Sequence, residues 1–94
     1  AALVLGEALK GQSRWRDAVT PFERAITIWR ALGNNPELLA YAKLGLAESL
    51  CHLPDRRFDG QQTARDIFSA ASVIEGDAEL HTRKQQLTEI CRLL

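Results

Sequence analysis

The chain has 94 residues, of which 46% are hydrophobic and 26% charged, and its twelve basic and twelve acidic residues cancel to zero net charge. That balance excludes long-range steering toward nucleic acid or an anionic membrane surface, and no apolar run approaches the roughly 20 residues of a membrane span. Leucine, alanine, glutamate, arginine and glutamine dominate, while valine, isoleucine and threonine nowhere alternate with period two, so the expected class is all-α.

Five helices are expected. The first covers about residues 2–10, with Leu3, Leu5 and Leu9 apolar and Gly6 on a close-packing face; Gly11-Gln12-Ser13 breaks it. Ser13 is placed to cap the second helix, about residues 16–32. There Ala18, Val19, Phe22, Ala25, Ile26, Trp29 and Leu32 follow the i, i+3, i+4, i+7 spacing of one buried stripe. Pro21 lies early in that helix, and Gly33 is placed as a left-handed stop. Asn35-Pro36-Glu37 is a start signal for the third helix, residues 36–52.

Residues 53–60 are expected to be irregular and charged. Asp59 and Gln62 resemble a capping box before a fourth helix at residues 60–75. Ala64, Ile67, Phe68, Ala71 and Ile74 face inward, and Gly76 stops it. Asp77 then caps the fifth helix, residues 78–94.

Two segments share a frame. Residues 18–25 and 64–71 both read A-x-x-x-F-x-x-A, 46 apart, and upstream Leu5-Gly6-Glu7-Ala8-Leu9 matches Leu46-Ala47-Glu48-Ser49-Leu50 at an offset of 41. The difference of five residues falls in the 53–60 loop, where insertions are tolerated. Adding 41 again carries Leu46 to Leu87 and Glu48 to Glu89, so the fifth helix reads as the first half of a third copy. Small residues (Gly6, Ala18, Ala47, Ala64) allow close helix approach, and Phe22 and Phe68 fill the gap between one helix pair and the next.

These frames resemble the tetratricopeptide repeat, whose pattern is W-x2-L-G-x2-Y…A-x3-F…P over two helices. Leu5-Gly6, Leu9, Ala18, Phe22 and Ala25 take successive slots of one repeat; Leu46-Ala47, Leu50, Ala64, Phe68 and Ala71 take those of the next. The tryptophan slot holds Ala2 and Lys43, and leucine replaces tyrosine in both copies. The period is similar to the longer repeats of kinesin light chains and bacterial signalling proteins. The resemblance implies a right-handed superhelical stack of antiparallel helix pairs. Repeat 1 would cover about 1–33, repeat 2 about 35–75, and a capping helix about 78–94, within a larger protein.

Candidate chemistry is sparse. Cys51-His52 with His81 and Cys91 invites a zinc reading, but the spacing is not that of metal ligands, so no metal is expected. Adjacent helical residues point about 100° apart, which excludes Cys51-His52 as a nucleophile–base pair. No glycine-rich phosphate loop or nucleophile elbow is present. The expectation is a non-enzyme without cofactors. With two cysteines, too few for a disulfide framework, a reducing cytoplasmic setting is expected.

The resemblance implies that the first helices of successive repeats line a concave groove holding Leu3, Glu7, Lys10, Tyr41, Leu44, Glu48, His52, Gln85, Glu89 and Arg92. Such a groove suits a peptide or partner helix. Chaperone-binding members hold a terminal carboxylate with lysine and asparagine; the matching slots here carry Leu3/Glu7 and Leu44/Glu48, and the two glutamates would repel one. A partner with basic residues is expected instead, and neither nucleic acid nor membrane. The role implied is a protein-interaction segment of a bacterial signalling protein; the alternative is a self-associating, homodimerising module.

Overall fold

The computed structural model describes residues 2–33, 36–69 and 78–92. They form α1 (Ala2–Gly11), α2 (Trp15–Leu32), α3 (Pro36–Cys51), a 3-10 turn (Pro54–Arg56), α4 (Arg57–Ser69) and α5 (Ala78–Cys91), with no strand among the described residues. The all-α expectation holds. The final stretch of the expected fourth helix, with Ala71, Ile74, Gly76 and Asp77, lies outside the described residues.

The boundaries follow local chemistry. Gly33 stops α2 in the left-handed conformation (φ 67°), its N–H donating to the Trp29 carbonyl at 3.0 Å. Pro36 opens α3, where its missing N–H costs nothing. Ser13 does not cap α2; the residue before that helix is Arg14, without a side-chain cap bond. Instead Ser13 (φ 58°) closes α1. The Ser13 N–H reaches the Lys10 carbonyl and the Arg14 N–H reaches the Leu9 carbonyl, each at 2.9 Å, which is a Schellman closure with serine where glycine is usual.

α4 begins three residues before the expected start, because Gly60 is a packing residue and not a helix opener. A Cβ there would lie 2.6 Å from Cys51 Sγ and 2.8 Å from the Cys51 backbone nitrogen. Asp59 sits in the first turn of α4 and accepts from Arg56 Nε at 2.8 Å.

α3 is the central element, packing against α1, α2, α4 and α5. It is apolar round most of its circumference, as a helix covered on several sides must be. Toward α2, Ala42 meets Ala25 and Ile26, and Leu50 meets Val19. Toward α4 and α5, Leu44, Ala47 and Cys51 pack with Ala64, Ile67, Leu80, Leu87 and Cys91.

Phe22 is fully buried between α1 and α3. A Cβ on Gly6 would stand 3.0 Å from its ring, and one on Gly45 would overlap it. Burying such a ring contributes roughly 1.5–3 kcal/mol, and here the burial requires glycine at position 45 and leaves a side chain at position 6 tightly placed. Gly45 therefore joins Gly6 as a close-approach position.

The cysteine expectation is corrected. Cys51 and Cys91, both buried, form a disulfide with Cα atoms 5.2 Å apart. Their pairing arises because α5 runs alongside α3 in the same direction, Tyr41 near Glu79 at their starts and Cys51 near Cys91 at their ends, bringing together cysteines 40 apart in sequence.

Candidate functional site: the shared face of α1, α3 and α5

Helix geometry assembles a polar cluster from three elements. Glu7 and Lys10 are three apart on α1, hence on one face. Tyr41 and Glu48 are seven apart on α3. Glu79 and Arg83 are four apart on α5. Packing of α1 and α5 against α3 then joins the three faces.

Glu48 is at the centre, its side chain only 8% exposed. Lys10 Nζ donates to Glu48 Oε2 at 2.6 Å, and Arg83 Nη2 to Glu48 Oε1 at 3.3 Å. Arg83 Nη2 also donates to Glu7 Oε1 at 3.1 Å, while Lys10 Nζ lies 3.4 Å from Glu7 Oε2. Two carboxylates and two cations thus interlock. A buried carboxylate is tolerated only when compensated in this way. The Arg83 guanidinium also lies over the Tyr41 ring, 5.4 Å from its centroid, and the Tyr41 hydroxyl donates to Glu79 Oε2 at 3.1 Å.

The structure brings Glu7, Lys10, Tyr41 and Glu48 together. It adds Arg83 and Glu79, which the repeat offset did not select; the sequence signal for them is the i, i+4 acid–base pair on α5. Leu44 is fully buried in the core and presents nothing to a partner. The side chain of Leu3 lies outside the described residues. Gln85 and Glu89 are exposed on α5, and Arg92 is exposed just beyond its end. Gln85 stands about 200° round the helix from Arg83 and pairs instead with His81 at 3.3 Å.

His52 is exposed and stacks on Trp15, ring centroids 3.9 Å apart and planes within 8°. Partial burial holds its pKa below the ordinary histidine value; Glu48 opposes that shift, and Arg57 and Lys10 reinforce it. The stack ties the start of α2 to the end of α3.

Other chemistry is limited. Among the described residues, no group of three or more His, Cys, Asp or Glu is placed to hold a metal ion. Cys51 is bonded to Cys91 and has no thiol to act as a nucleophile. A cavity of about 310 Å³ opens between α2, α3 and α4, with Ile26 and Leu46 among its apolar walls and Glu23, Arg30, Lys43 and Asp66 among its charged ones. No described helix is long and apolar enough to cross a membrane.

Comparison of the chain with protein-family models, with curated proteins and with solved structures finds no match.

Proposed function

We propose that this chain is a helical protein-binding scaffold, a tetratricopeptide-like stack whose α1/α3/α5 face receives a peptide or partner helix. The observation that carries this reading is the convergence of Glu7, Lys10, Glu48 and Arg83 from three different helices on one face. Residues so far apart in sequence meet where a stack of helix pairs presents its first helices together. Tyr41 and Glu79 extend the face with an aromatic ring and a carboxylate.

A partner with basic residues fits the layering of charge. The cations are tucked in, with Lys10 18% and Arg83 13% exposed, whereas Glu7 is 35% exposed. An incoming arginine or lysine therefore meets carboxylate first. A regulatory role within a bacterial signalling protein is proposed on the resemblance of the repeats. The cytoplasmic setting expected from the cysteine count stands against the Cys51–Cys91 bond, which favours an oxidising compartment.

The test is selection of binders from a displayed random-peptide library against the oxidised protein, followed by binding to Glu7→Lys and Tyr41→Ala variants. Basic peptides weakened about tenfold or more by either change support the reading. Selected peptides indifferent to both changes refute it. Light scattering separates the homodimer alternative, which requires twice the monomer mass without any peptide.

A further inference from the structure

The cavity of about 310 Å³ between α2, α3 and α4 holds opposite charges apart. Elsewhere three exposed arginines pair with aspartates: Arg14 with Asp17, Arg16 with Asp55 and Arg56 with Asp59. At the cavity, the charged groups of Glu23, Arg30 and Lys43 have no ion-pair or hydrogen-bond partner among the described residues. Glu23 and Arg30 are seven apart on α2, hence on one face and about 10 Å apart along the axis, too far to meet each other. Helical side chains lean toward the N-terminus of their own helix. α3 runs antiparallel to α2, with Val19 packed near Leu50 at one end and Trp29 near Leu39 at the other. Lys43 therefore leans toward Arg30 and away from Glu23. Two cations gather at one end of the cavity and a carboxylate stands at the other.

We infer that this cavity binds a small zwitterion, with an ammonium at one end, a carboxylate at the other and an apolar linker between. A simple anion would meet Glu23 and Asp66, and a simple cation would meet Arg30 and Lys43. A molecule carrying both charges several ångströms apart satisfies both ends. Its carboxylate lies at Arg30 and Lys43, and its ammonium at Glu23. The Thr27 and Thr63 hydroxyls line the same cavity and donate to the Glu23 and Asp59 carbonyls, so each oxygen is left to accept from an ammonium. Ile26 and Leu46 are the apolar surface against which the linker packs. The volume is at the small end for ligand sites, which suits an ω-amino acid or a free dipeptide. The site is separate from the α1/α3/α5 face and does not rest on the function proposed for it.

The experiment titrates the isotope-labelled oxidised protein with ε-aminocaproate and with alanyl-leucine, and with caproate and hexylamine as singly charged controls. The expected result is that the zwitterions give saturable shifts at Ile26, Thr27, Lys43 and Leu46, and that each control binds about two- to fivefold more weakly, as exposed ion pairs allow. Glu23→Gln should remove the advantage of ε-aminocaproate over caproate, and Arg30→Gln its advantage over hexylamine. Both residues are exposed, so both variants fold. Either order of the two zwitterions supports the inference; tighter alanyl-leucine identifies a peptide ligand and tighter ε-aminocaproate an ω-amino acid. Four outcomes overturn it: no saturable shift, a control that binds as well as the zwitterions, an advantage that survives both substitutions, or shifts centred on Tyr41 and Arg83.

Discussion

Arg83 on α5 bonds Glu7 on α1 across 76 residues of sequence, and the same nitrogen also serves Glu48 on α3. One guanidinium thus couples three helices that share no turn. Replacing Arg83 with methionine keeps much of the aliphatic bulk and removes the charge, leaving Glu48 with Lys10 alone. The expected loss is about 1–3 kcal/mol, since Glu48 is buried and hydrogen bonds to charged groups are the strong ones. Glu7→Gln should cost less than about 1 kcal/mol, because Glu7 is more than a third exposed and screened. Urea unfolding of the oxidised protein measures both, and equal losses would contradict the central role given to Glu48.

Gly45 has no space for a side chain. Gly45→Ala should destabilise by about 1–3 kcal/mol through overpacking against the Phe22 ring. Combining it with Phe22→Leu should recover part of that loss, a coupling that a double-mutant cycle reads directly. Strict additivity would mean that the ring is not what excludes the methyl group.

The Cys51–Cys91 bond closes a long loop. For a separation of 40 residues the chain-entropy relation gives about 4 kcal/mol of stabilisation. Reduction by a dithiol, or Cys51→Ser with Cys91→Ser, should lower the urea midpoint accordingly. Two titratable thiols in the native protein under non-reducing conditions would show that the bond is absent.

His52 should titrate below the ordinary histidine value of about 6.5. Its folded pKa is depressed, so the unfolded chain binds more protons in the window between the two values. Stability from this group is therefore fully present above about pH 6.5 and is lost as pH falls through the folded value. The His52 ring resonance follows this, and Trp15→Ala, by exposing the ring, should raise the midpoint. A native midpoint at or above 6.5 would contradict the assignment.

Ser13 adopts a conformation that favours glycine. Ser13→Gly should stabilise the α1–α2 junction by about 0.4–1 kcal/mol, because left-handed strain of about 1–2 kcal/mol outweighs the roughly 0.5–1 kcal/mol that glycine's flexibility costs on folding. Thermal unfolding checks it; destabilisation would show that the strain at Ser13 is smaller than that entropy cost.

Helix existence and most of the buried stripe of α2 were legible because both depend on local spacing: Ala18, Val19, Phe22, Ala25 and Ile26 are buried and Gly33 stops the helix, whereas Trp29 is half-buried and Leu32, in the last turn, is exposed. Ser13 misled because one residue between two helices can cap the second or close the first, and only backbone geometry decides. Gly60 read as a helix start because nothing local reveals Cys51 across the interface. The disulfide and Arg83 were illegible for one reason. Cysteine count and charge spacing carry no information on which distant residues the packing of α5 on α3 brings together. Of the polar cluster, Glu7, Lys10, Tyr41 and Glu48 belonged to the groove that the repeat frame implied; Arg83 and Glu79, both from α5, did not.

The disulfide also changes the covalent outline of the molecule. With Cys51 joined to Cys91, the chain is a linear segment carrying α1, α2 and α3, leading into a closed ring that contains the whole of α4 and α5. A pull applied at the two ends passes from Cys51 to Cys91 through sulfur and bypasses that ring. Fully stretched, the oxidised protein should fall short of its reduced form by about 140 Å, at about 3.5 Å for each of the 40 bypassed residues. Mechanically, α4 is slack: it bears no load until the bond is reduced.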